Sequence, residues 1–102
     1  MDYGKLYLTE LVADIKKLLP DAKVLLFGSR ARNTPLKSSD IDLIVISEHF
    51  SDVAYIRRPQ LILPIYKGFY HIDLLCYTPA EFAQKSKLKG VVSQAVIEGK
   101  YL

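Results

Sequence analysis

Apolar residues recur at helical spacing over residues 3–19, where Leu8, Leu11, Val12, Ile15, Leu18 and Leu19 fall on one face. Asp2 stands where a cap would. Pro20-Asp21 ends the pattern, because proline cannot continue a helix. The spacing predicts a helix that lies across a sheet. The pattern then changes. Lys23 to Phe27 is a lysine followed by four apolar residues, short and bounded by turn signals, which predicts a buried strand. Asn33 to Ser39 is a polar loop with Pro35. Ile41 to Ile46 is apolar apart from Asp42 and rich in β-branched residues, as in a central strand covered on both faces.

Residues 51–67 contain two helix-compatible stretches, Val53 to Arg58 and Gln60 to Tyr66, interrupted by Pro59 and Pro64. A helical segment is expected there. His71 to Tyr77 predicts a third strand. Thr78-Pro79-Ala80-Glu81 predicts a helix start, with Thr78 as cap, proline at the first position and Glu81 completing a capping box. That helix runs to about Lys87. Leu88, Val91, Val92, Ala95 and Val96 make a further helical stripe, ended near Gly99. The stripe serves either for packing on the sheet or for docking a partner or a second copy. No repeat, low-complexity segment or linker divides the chain, so residues 1–102 are expected to form one domain.

Composition adds limits. Half of the residues are hydrophobic and a quarter charged, as in a globular domain. The net charge of +3 is mild and the basic residues are scattered, apart from Arg30/Arg32, Arg57/Arg58 and Lys85/Lys87/Lys89. An anionic ligand fits this balance, whereas a nucleic-acid face is not indicated. The seven tyrosines show no pattern for stacking bases. No apolar run has the length of a membrane span, and MDYGKLYLTE lacks the basic-then-apolar order of a signal peptide. The single cysteine, Cys76, fits a reducing cytoplasm and reads as a packed strand residue.

Candidate chemistry lies in residues 24–46, VLLFGSRARNTPLKSSDIDLIVI. Residues two apart on a strand point to the same face, so Asp40 and Asp42 project together. Two carboxylates beside an apolar strand repel each other unless a dication sits between them. Magnesium takes oxygen ligands, commonly one or two carboxylates plus substrate phosphates. Asp73, early in the strand HIDLLCY, supplies a third carboxylate. Upstream, Gly28 lets backbone approach a ligand, Ser29 adds a hydroxyl donor, and a short helix from Ser29 to Arg32 would aim free N–H groups at an anion. Arg30 and Arg32 cannot both face one ligand from a helix, and Arg32 is favoured.

Gly28-Ser29-Arg30-Ala31-Arg32, followed by Ser39-Asp40-Ile41-Asp42-Leu43, resembles the signature of minimal nucleotidyltransferases, in the DNA polymerase beta-like superfamily. The likeness extends more loosely through Asp73 to Thr78–Phe82. It implies an α/β (α+β) fold, a small mixed sheet flanked by helices. It also implies that Asp40, Asp42 and Asp73 bind two Mg2+ ions and that Gly28, Ser29, Arg32 and Ser39 hold the nucleotide. Asp73 would also activate the attacking hydroxyl. The implied reaction moves a nucleoside monophosphate, usually AMP from ATP, to an acceptor hydroxyl and releases pyrophosphate. For members of this size the resemblance suggests an antitoxin that adenylylates a tyrosine on a small helical HEPN-type partner. Asn33 replaces the family's usual glycine, and asparagine also tolerates a left-handed turn. A second reading keeps the nucleotide site but makes the chain an antitoxin that neutralises its partner by contact. His49 and His71 read as structural or exposed residues, since carboxylates already supply hard oxygen ligands.

Overall fold

The computed structural model describes residues 3–27, 41–66 and 72–102. Helix α1 runs Tyr3–Leu18, and Lys16 and Lys17 in its last turn complement the negative end of the helix dipole. Leu11, Val12, Ile15 and Leu19 are buried and Leu8 packs against their cluster, whereas Leu18, expected on the same face, is exposed. Strands β1 (Lys23–Phe27) and β2 (Ile41–Ile46) follow, then β3 (Ile72–Tyr77). Helices α2 (Pro79–Ser86) and α3 (Val91–Glu98) precede a two-residue strand, β4 (Lys100–Tyr101).

The four strands form one mixed sheet in the order β3-β2-β1-β4. β1 is antiparallel to β2 and β4, whereas β2 and β3 are parallel. Alternate residues of each strand go to opposite faces. Val24, Leu26, Ile41, Leu43, Val45, Ile72 and Cys76 pack with the α1 stripe and with Phe50 and Ile62. Leu25, Ile44, Ile46 and Tyr77 face the other way, onto Val92 and Ala95 of α3. β2 is therefore covered on both sides, as its apolar run predicted.

The start of α2 follows its sequence. Glu81 N–H donates to Thr78 Oγ1 at 3.2 Å, and Thr78 N–H donates to Glu81 Oε1 at 2.8 Å. The crossover between the parallel strands is helical as expected, but as two short 3-10 pieces, Tyr55–Leu61 and Leu63–Ile65. Pro59 and Pro64 each remove a backbone donor, and short i+3 turns tolerate that better than an α-helix does. The last helix starts at Val91 rather than at Leu88, which is exposed. Val92 and Ala95 of the predicted stripe pack on the sheet; Val91 and Val96 are exposed.

Candidate active site

Asp42 is the second residue of β2 and Asp73 the second of β3. In the parallel register they are direct partners. Neighbouring strands lie about 5 Å apart, so two acidic side chains on the same face stand side by side. That face is the one α3 covers further along, at Ile44, Ile46 and Tyr77. Asp42 is half-buried and Asp73 exposed, so the pair borders solvent at the strands' N-terminal end. Like charges in this position repel, and an oxygen-seeking dication between them would convert the repulsion into attraction.

On the other side of Asp42, the antiparallel register places Phe27. Phe27, Asp42 and Asp73 thus form one row across three strands. From the sequence Phe27 is only the end of a strand. Its place beside Asp42 depends on strand pairing, which the sequence does not display.

Gly28, Ser29, Arg30, Arg32, Asn33, Ser39 and Asp40 lie outside the described residues, as do Tyr70 and His71. The structure therefore brings together two of the three candidate carboxylates. Among the described residues no group of three His, Cys, Asp or Glu side chains is arranged to hold a metal.

The other polar cluster lies beyond the far end of β2. Ser47 Oγ donates to Asp21 Oδ1 at 2.6 Å, His49 Nδ1 lies 3.0 Å from the same oxygen, and Glu48 N–H donates to Oδ2 at 2.8 Å. These bonds, that from Ser47 foremost, hold the Asp21 carboxyl down at about 2. The residue types are those of a Ser-His-Asp triad, but the roles differ. Ser47 is fully buried, gives its proton to the aspartate rather than to the histidine, and accepts from His49 N–H. The cluster ties the α1–β1 turn to the exit of β2, and His49 is structural as its sequence context suggested.

The nucleotidyltransferase domain family matches residues 8–102, nearly the whole chain. The chain belongs to that family. This nucleotidyltransferase domain also shares its fold with a crystal structure described as a "putative nucleotidyltransferase" from Sulfolobus solfataricus. The TM-score is 0.66 at 22% identity, over 93% of this chain and 75% of that one. No curated protein matches it. Membership gives nucleotidyl transfer as the domain's general activity, a chemistry that uses a nucleoside triphosphate and divalent metal. Asp42 and Asp73, as adjacent hard oxygen donors, fit such an ion. Among the described residues, no helix is long and apolar enough to cross a membrane.

Proposed function

We propose that the chain, as one domain, transfers AMP from ATP to an acceptor hydroxyl. Asp40, Asp42 and Asp73 would hold two Mg2+ ions, and Gly28, Ser29, Arg32 and Ser39 would hold the nucleotide. The observation that carries this reading is the in-register pairing of Asp42 with Asp73. Such ions, when bound, stabilise the charge on the attacking and leaving oxygens of an in-line displacement.

The chain's own residues supply the rest. The Asp73 carboxylate accepts the proton of the acceptor hydroxyl, whose oxygen bonds to the α-phosphorus. The bond from that phosphorus to the bridging oxygen breaks, and pyrophosphate leaves. Gly28 and Ser29 steady the departing phosphates. The acceptor we favour is a tyrosine hydroxyl on a small helical partner of the HEPN type, which makes the protein an antitoxin. This assignment rests on the family resemblance of residues 24–46.

The test is transfer of label from α-labelled ATP to a co-purifying partner, with and without magnesium. Magnesium-dependent labelling by the wild type, abolished in Asp42→Asn, is the expected result. Full neutralisation of the partner by Asp42→Asn would make contact rather than transfer the function. Absence of both labelling and triphosphate binding in the wild type would overturn the enzymatic reading.

A further inference from the structure

We propose that Phe27 is a positioning residue for the metal-holding carboxylates: its ring walls one flank of Asp42 and turns that carboxylate toward Asp73. The inference rests on the reading of Asp42 and Asp73 as metal ligands. Phe27 and Asp73 are Asp42's partners on its two neighbouring strands. Directly opposed residues on one face have β-carbons roughly 4.5–5.5 Å apart, close enough for each to limit its neighbour's rotamers. Phe27 is half-buried and packs against the buried cluster on this face, to which Leu25 and Ile44 belong, so its ring is anchored rather than free to swing away. With that volume filled, an Asp42 carboxylate leaning along the row leans toward Asp73.

The ring has a second effect. It keeps water from one flank of Asp42, and charges interact more strongly where water is excluded. Repulsion between the two carboxylates and their attraction for a shared dication both rise. Phe27 also immediately precedes Gly28-Ser29 in the chain, so a ring fixed in the core fixes the strand end that leads into the proposed phosphate turn.

The test compares Phe27→Leu and Phe27→Tyr with Leu25→Val, a buried change on the same strand and face that does not border Asp42. Mn2+ is titrated in the presence of a non-hydrolysable ATP analogue and followed by its EPR signal, with melting temperatures recorded alongside. Phe27→Leu is expected to weaken Mn2+ binding about tenfold, as loss of a ligand-orienting neighbour does. Phe27→Tyr, which keeps the ring, should bind like the wild type. Leu25→Val should lower the melting temperature without changing Mn2+ affinity. Unchanged binding by Phe27→Leu overturns the proposal, as does an equal loss in Leu25→Val. A wild type that binds no Mn2+ would overturn the ligand reading of Asp42 and Asp73 itself, an outcome distinct from the other two.

Discussion

Arg58 holds Glu81 with both ends of its guanidinium: Nη1 donates to Oε1 at 2.6 Å and Nη2 to Oε2 at 3.3 Å. The same group donates to the carbonyls of Val53 (2.9 Å) and Cys76 (3.1 Å) and lies over the rings of Phe50 and Tyr55. Arg58 is only 5% exposed, yet its charge is fully partnered. Glu81 meanwhile caps α2 through Thr78 N–H. One ion pair therefore joins the 3-10 crossover, strand β3 and helix α2.

Removing the arginine should cost more than removing a surface charge. Arg58→Leu takes a donor from each of two carbonyls and leaves Glu81 with Thr78 N–H alone. Glu81 keeps partial access to water, which limits the loss to about 2 kcal/mol. The melting temperature should fall roughly 10 °C, measured by circular dichroism.

The same pair gives an acid dependence. The bond from Arg58, with that from Thr78 N–H, holds the Glu81 carboxyl down at about 2, against 4.5 ordinarily. A depressed folded-state pKa contributes stability that is present above the unfolded value and lost as pH falls through the folded one. Between pH 4.5 and about 2 the wild type should therefore lose stability progressively. Asp21, brought from 3.8 down to about 2, adds to the loss over the lower part of that window. Glu81→Gln should be less stable than the wild type at neutral pH and lose less on acidification. Denaturant melts at stepped pH measure both.

At the candidate site, charge removal should separate stability from function. Asp73→Asn removes one of the two facing charges while keeping the side chain's size and hydrogen-bonding capacity, so the variant should fold, as checked by circular dichroism. As the proposed general base, Asp73 when replaced should cost about 10²–10⁴ in turnover. Magnesium with ATP analogue should raise the wild-type melting temperature and fail to raise that of the variant.

Cys76 should be unreactive in the folded protein. Burial pushes its thiol up to about 12 despite the nearby Arg58 charge, so little thiolate forms near neutrality. Labelling by a thiol reagent should proceed only through opening of the core. Its rate should rise in Arg58→Leu.

Much of the fold is legible in the chain because local rules decide it. The β2 run, the α1 stripe and the Thr78–Glu81 box each act within a few residues. What stayed hidden depends on distant partners. Nothing near Arg58 in sequence distinguishes it from Arg57, yet Arg58 is buried against Glu81 and Arg57 is exposed. Ser47 and Asp21 meet only when the α1–β1 turn reaches the exit of β2. β4 has two residues, too few for any periodicity, and exists because Leu25 and Leu26 offer it an edge. At the site, Asp42 and Asp73 were visible as residues, while Phe27 beside them was not.

Gly99 connects α3 to that short strand. A β-carbon there would overlap the Ala95 carbonyl oxygen and stand 2.8 Å from both Leu25 Cδ1 and the Leu26 carbonyl oxygen. Two of these are backbone atoms that cannot swing aside. Gly99→Ala should cost about 1–3 kcal/mol and speed amide exchange at Leu102, whose N–H donates to Val24 O.

The parallel pairing of β2 and β3 has a kinetic side. Parallel neighbours cannot be joined by a tight hairpin, so Asp42 and Asp73 meet only after the whole crossover has been threaded and its closure entropy met. Such distant pairings form slowly. A nascent or partly collapsed chain consequently holds its acidic pair asunder, and the two carboxylates come together only when β3 docks beside β2.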